Sequence, residues 1–352
     1  MARGLSAGSL VSLAVTGLLA AAGAVIWFTA SAPPDAPPAA LPTFDAQGHR
    51  GARGLYPENT LPGFAAALAI GVTTLEMDVG LSRDGVLVVH HDRRLDPQRT
   101  RGVDGTWIAD PAPAIFELES AALAAYDVGR ARPDSRLARR FPDQARLDRV
   151  PIPALAEVIA VAEAASDRTI RYNIEIKTAP DAPAETAPPE VLAEALVAAI
   201  REAGIAGRAT IQSFDWRALR RAQENAPAIR TVYLTAEQSW LDNLERGRPR
   251  VSPWTAGFDP DDYEGSVPRA VAAAGGAAWS PYFRDLREAD LAEARRLGLR
   301  VIVWTVNEPA DMRSLMDQGI DGIITDYPDR LRAVMAERGL PLPPAFAAAT
   351  GG

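Results

Sequence analysis

The sequence predicts a (β/α)8 TIM barrel with an inserted β-hairpin arm and a large insertion at 96–149, preceded by an N-terminal transmembrane helix. Three observations lead there. From Ala46 onward, short apolar runs alternate with helical patterns, as in a parallel α/β fold. Eight such runs stand in order: Ala46–His49, Thr74–Asp78, Tyr172–Ile176, Ala209–Gln212, Thr231–Leu234, Ala277–Ser280, Val301–Thr305 and Gly322–Thr325. Eight strand–helix pairs over roughly 300 residues match a closed parallel barrel. Third, charged side chains sit at the ends of these runs, where a buried strand carries them only for a reason.

The elements follow in order. Gly4 to Pro34 carries no charge, and Leu10 to Ala30 is almost wholly apolar, long enough to cross a bilayer as a helix. Arg3 is the only charged side chain before it, which keeps the N-terminus cytoplasmic. Residues 1–31 are therefore expected to be a membrane anchor or signal segment. Ala30-Ser31-Ala32 resembles a cleavage site, but Pro33 after it disfavours cutting, so an uncleaved anchor is preferred. Either way the rest of the chain is expected outside the cytoplasm, periplasmic or cell-surface, or exported if the segment is removed. Five prolines make 32–45 a stiff spacer of about 3 Å per residue. The barrel is placed at 46–338 and a tail at 339–352.

Helices are expected at Leu61–Ile70, Ala154–Ala165, Pro189–Ala203, Arg217–Asn225, Glu288–Leu297 and Asp311–Asp317, by periodicity and capping residues. Pro57-Glu58-Asn59-Thr60 reads best as the cap of the first, and Asp326-Tyr327-Pro328 as a turn closing the last strand. Asp84-Gly85 between Thr74–Val79 and Val86–Asp92 signals a two-residue hairpin. That register puts Asp78 opposite His91, with Glu76 on the same face and His90 on the other. The stretches 96–149 and 237–265 fit no strand–helix unit and are expected to be lids at the strand ends.

Composition narrows the chemistry. A net charge of −8 argues against a nucleic-acid partner. The absence of cysteine excludes disulfides and thiolate metal sites, and three histidines, His49, His90 and His91, are too few for a usual barrel zinc hydrolase. Lys177 is the only lysine among 37 basic side chains, as expected if that strand end needs a compact ammonium.

Barrel strand ends share one rim, so His49-Arg50-Gly51, Glu76 and Asp78, Glu175 with Lys177, and Trp304 meet around one pocket. Glu76, Asp78 and Glu175, without thiol or spare imidazole, suit one hard divalent cation, calcium or magnesium. His49 and His91 suit general acid and base, while Arg50 and Lys177 suit an anion such as phosphate. Trp304 either walls the pocket or fills the barrel. The expected substrate is a phosphate ester.

The chain also resembles the glycerophosphodiester phosphodiesterase family, of the phospholipase C-like phosphodiesterase superfamily, across about 46–335. The motifs are His49-Arg50-Gly51-Ala52, Pro57-Glu58-Asn59-Thr60, Glu76-Met77-Asp78-Val79, Asp84-Gly85, His91-Asp92, Glu175-Ile176-Lys177, Ser213-Phe214, Trp304-Thr305-Val306-Asn307 and Gly322–Pro328. Ala125–Gly129 and its surroundings are similar to the periplasmic type. The resemblance implies a barrel, a divalent metal at Glu76, Asp78 and Glu175, and catalysis by His49 and His91. It implies a small-molecule glycerophosphodiester such as glycerophosphocholine as substrate, with sn-glycerol 3-phosphate and an alcohol as products. Two other readings stay open: a lysophospholipase D or sphingomyelinase D-like enzyme acting on membrane lipids, and a non-catalytic envelope binding module.

Overall fold

The computed structural model describes residues 39–346. The expected anchor at 1–31 and the first part of the linker lie outside them. Among the described residues no helix is long and apolar enough to cross a membrane.

Eight parallel strands close a barrel, as the alternating pattern predicts. In chain order the elements are β1 (Asp45–Gly48), α1 (Leu61–Ile70), β2 (Thr74–Leu81), β3 (Leu87–Val89), α2 (Ser120–Ala124), α3 (Arg136–Arg140), α4 (Leu155–Ala165), β4 (Arg171–Ile176) and α5 (Pro189–Glu202). There follow β5 (Ala209–Ser213), α6 (Trp216–Asn225), β6 (Arg230–Thr235), β7 (Glu237–Gln238), β8 (Leu241–Asp242), α7 (Val267–Ala273) and β9 (Ala278–Pro281). The chain ends through α8 (Glu288–Arg296), β10 (Arg300–Val303), α9 (Pro309–Gln318), β11 (Gly322–Thr325) and α10 (Pro328–Glu337). The barrel order is β1-β2-β4-β5-β6-β9-β10-β11, closed by β11 on β1. The short α7 lacks a sequence run long enough to show periodicity; Ser266 caps it and a proline opens it.

Alternation along the strands gives the barrel two unlike interiors. Outward residues such as Leu75, Met77, Ile174 and Ile211 are buried under the helices in the main core. Inside, β6, β9, β10 and β11 contribute a small apolar cluster of Val232, Ala278, Ile302 and Ile324. On β1, β2, β4 and β5 the interior is polar. There Asn173 donates to Gln47 at 2.8 Å and to Gln212 at 2.9 Å, and Gln212 donates to Glu76 at 2.7 Å. Every donor in this buried chain finds an acceptor, which is the condition for polar residues in a core.

The linker ends on the barrel base. Ala39 donates its N–H to the Gly207 carbonyl at 2.8 Å. Arg230 and Arg171 donate to the carbonyls of Ala39 and Ala40 at 3.2 and 3.4 Å. The base is the end opposite the strand ends that carry the predicted site.

The hairpin corrects the expected register by one. Strand β3 pairs antiparallel with β2 as Val79 with Val89, Gly80 with Val88 and Leu81 with Leu87. The loop therefore has three residues, Arg83-Asp84-Gly85, with Gly85 at φ +80° as such loops require. Ser82 causes the shift, because its hydroxyl accepts from the Val86 N–H at 2.9 Å and donates to Asp84 at 2.7 Å. His90, not His91, then faces Asp78, donating its N–H to the Asp78 carbonyl at 3.0 Å. The strand ends at Val89, so the two-residue alternation stops there and does not govern His91.

Candidate active site

The predicted residues converge at the C-terminal ends of the strands. One cavity of about 830 Å³ is lined by His49, Arg50, Glu76, His91, Glu175, Lys177 and Trp304 among others. The two insertions form part of its wall: Asp96, Arg99 and Arg136 come from the first, Trp240 and Trp254 from the second.

The acidic centre starts on adjacent strands. Asp78 and Glu175 are paired in the β2–β4 ladder, and Glu76 stands two residues earlier on β2. One oxygen from each lies within 4.8 Å of the others, and all three residues are buried. Burial and the neighbouring Asp78 charge raise the Glu76 carboxyl well above its usual range. Burial likewise pushes Glu175 up to about 7, despite Lys177 at 2.7 Å. For Asp78, burial acts upward but Arg50, His91 and Lys177 outweigh it, so this carboxylate stays ionised. Asp78 Oδ1 is buried without a hydrogen-bond partner. Three hard oxygen donors, one of them without a hydrogen bond and met only by the Lys177 ammonium at 3.7 Å, and two raised by repulsion and burial, fit a divalent cation.

His49 directly follows β1, and its Nδ1 lies 2.6 Å from Oδ1 of Asp326, the residue after β11. Asn307 donates to the other Asp326 oxygen at 2.8 Å and accepts from its N–H at 2.9 Å. Arg50 Nε donates to His49 Nε2 at 3.1 Å. That bond requires a bare Nε2 and therefore a proton on Nδ1, facing Asp326. Burial and the Arg50 charge lower the His49 pKa, against the pull of Asp326.

Arg50 is in the left-handed region at φ 51° and Asn59 at φ 54°. Such residues cost about 1–3 kcal/mol each and persist where neighbours over-determine them. Arg50 donates its N–H to Glu76 at 2.8 Å and accepts from the Asn59 N–H at 3.0 Å. Gly51, at φ +87°, lies so close to α1 that a Cβ would meet the Gly63 carbonyl carbon at 2.6 Å. Its missing side chain serves helix packing rather than access to the cavity.

His91 has Nδ1 2.6 Å from Asp92 Oδ1, and burial with the Arg50 and Lys177 charges lowers it to about 3. His90 is buried outside the cavity, with Nδ1 2.9 Å from the Asp92 carbonyl. Trp304 lines the cavity and its indole donates to the Ser280 carbonyl at 2.9 Å.

Several contacts differ from the sequence expectation. Thr60 does cap α1, but Asn59 donates to Asp78 at 2.8 Å and Glu58 binds Arg50 at 2.9 Å. Asp326 is a partner of His49 rather than a plain turn residue. Arg99, from the 96–149 insertion, bridges Glu58 and Asp92. The strand-end position of Asp326 was the available signal, whereas nothing local to Arg99 announces its partners.

Residues 49–330 match the model of the glycerophosphoryl diester phosphodiesterase family. The chain belongs to that family. A glycerophosphodiester phosphodiesterase of Caldanaerobacter subterraneus is 28% identical, over 83% of this chain and 97% of its own. A family member from Silicibacter pomeroyi of known crystal structure is 37% identical, with a TM-score of 0.74 over 85% of this chain and 96% of that one. An Oleispira antarctica phosphodiesterase, solved with its product sn-glycerol-3-phosphate, shares the fold at 22% identity and a TM-score of 0.59, over 84% and 97% of the two chains. The family assignment makes the chain an enzyme of the phosphoric diester hydrolase class.

Proposed function

We propose that the chain hydrolyses glycerophosphodiesters such as glycerophosphocholine to sn-glycerol 3-phosphate and an alcohol. His49 and His91 are the acid–base pair, Arg50 and Lys177 face the phosphate, and Glu76, Asp78 and Glu175 hold one calcium or magnesium ion. The observation that carries this reading is a single cavity lined by two imidazoles, each held by a carboxylate, and by members of a buried carboxylate trio. When bound, the cation supplies charge neutralisation of the diester and Lewis acidity.

The protein groups divide the remaining work. One imidazole takes the proton of the attacking oxygen, from water or the neighbouring glycerol hydroxyl. The other gives a proton to the departing alkoxide, which leaves poorly without it. Asp326 and Asp92 fix the ring orientations and stabilise each imidazolium as it forms. Depressed pKa values keep both rings neutral at rest, so a base is ready; a bound anionic diester acts against that depression. We further place the barrel outside the cytoplasm, tethered through 1–31, on the strength of the uncharged apolar run.

Product analysis tests the reading. Incubation with glycerophosphocholine followed by phosphorus NMR should give sn-glycerol 3-phosphate and free choline. Phosphocholine and glycerol as the products, or no turnover, contradicts it.

A further inference from the structure

We infer that the aromatic side of the cavity is a subsite for a quaternary ammonium head group, making trimethylammonium alcohols the preferred leaving groups. This rests on the phosphodiesterase reading above and names its substrate class.

The cavity lining is sharply divided. On the side of β1, β2 and β4 and of the first insertion it carries Arg53, Arg93, Arg99, Arg136 and Arg140 around the phosphate-facing groups. Asp92 and Asp96 line the same wall, and Arg53, Arg93 and Arg99 are paired with Glu58, Glu185 and Asp92, so that side is ionic and offers hydrogen-bond partners rather than an apolar surface. On the side of β5, β6, β9 and β10 the lining is Phe214, Leu234, Trp240, Leu241, Trp254, Tyr282, Trp304 and Thr305, without a charged side chain. Three of the rings form a cluster: Trp240 to Tyr282 at 5.4 Å, Tyr282 to Trp304 at 5.5 Å and Trp240 to Trp304 at 6.0 Å between centroids. Two of these contacts are edge-to-face and the third, Tyr282 with Trp304, is tilted. Ring faces carry the negative side of the quadrupole, which is what attracts a cation. Trp240, at the turn of the β7–β8 hairpin, is 58% exposed.

Phe214 already shows the interaction in miniature, with the Lys177 ammonium 5.9 Å from its ring centroid. Glu175 matches that charge at 2.7 Å, so Lys177 does not leave the aromatic side positive. The two esters of a glycerophosphodiester thus differ in what they need. Glycerol carries hydroxyls and needs hydrogen-bond partners, which the charged side supplies. A trimethylammonium group donates no hydrogen bond and is held by ring faces, whereas a primary ammonium demands acceptors that this side chain set scarcely provides.

The test compares kcat/KM for glycerophosphocholine with its 3,3-dimethylbutyl isostere, which has the same shape without the charge, and with glycerophosphoethanolamine. The full chain should prefer the choline ester over each by about tenfold. In Trp240→Ala the preference over the isostere should shrink to about twofold, with Trp240→Phe between. Because Trp240 is exposed at a hairpin tip, these variants should fold, which circular dichroism checks. Equal rates for the choline ester and the isostere overturn the inference and leave only an apolar wall. A faster rate on lysophosphatidylcholine overturns it in favour of an acyl chain. If none of the diesters is cleaved, the underlying phosphodiesterase reading is what fails.

Discussion

The mouth of the barrel has two unlike halves, and they show how differently a sequence reveals charged and aromatic chemistry. The half built on β11, β1, β2 and β4 holds Asp326, His49, Glu76, Asp78, Glu175 and Lys177. The half built on β5, β6, β9 and β10 presents aromatic rings. Buried charge is expensive without a partner, so every ionisable residue in the first half forces others into place. Rings bury equally well in a core or a wall, so the second half imposes no such chain of requirements. The charged half is thus specified by mutual pairing, whereas the aromatic half carries no such chain of pairings.

The largest expected effect separates the histidines. His49→Ala and His91→Ala should each lower kcat by about 10³-fold, within the usual range for a lost acid or base. His90→Ala, outside the cavity, should keep activity within about tenfold of the parent once protein stability is matched. Steady-state kinetics on glycerophosphocholine decides; a larger loss for His90 than for His91 would reassign the working imidazole.

Arg99→Ala comes next. It releases Asp92 and Glu58 together and should reduce kcat by about 10- to 100-fold, with His91 losing its fixed orientation. A change confined to thermal stability, with kinetics intact, would mean the bridge only anchors the insertion.

The cation should be sensitive to pH in a direction fixed by Glu175. Its folded value is raised to about 7, so below that pH a proton competes with the ion. Because burial also raises Glu76, affinity for calcium or magnesium should weaken as the pH falls through and below 7, by about tenfold per unit for each proton displaced. Isothermal titration calorimetry in buffers of different ionisation enthalpy should also detect proton release on binding. Affinity that is flat from about pH 5.5 to 8 would contradict competition between the ion and a proton on a raised Glu175.

The smallest effect belongs to the aromatic half. Trp304→Leu keeps an apolar surface but removes the ring, and should raise KM by about three- to tenfold with little change in kcat. An equal fall in kcat would move Trp304 into the transition state and blur the division between the halves.

The same division governs what could be read in advance. The eight strands and the meeting of Glu76, Asp78 and Glu175 follow from period and strand-end logic, because carboxylates in apolar runs have few physical explanations. Asp326 and Asn59 sit in segments that also make good turns and caps, and local chemistry alone favoured the plainer role. The hairpin register missed by one because the Ser82 hydroxyl closes the turn before Asp84-Gly85 is centred in it. Arg99 was illegible for another reason: its partners, Glu58 and Asp92, meet it only once the insertion has folded back on the barrel.

Chelation is the most direct test of the central claim. Turnover of glycerophosphocholine by the intact chain should vanish with EDTA and return with calcium or magnesium, while Glu175→Gln should need at least about 100-fold more ion for the same rate. Turnover that survives exhaustive chelation, or a Glu175→Gln protein with the parent's ion requirement, contradicts a cation held by the buried carboxylates.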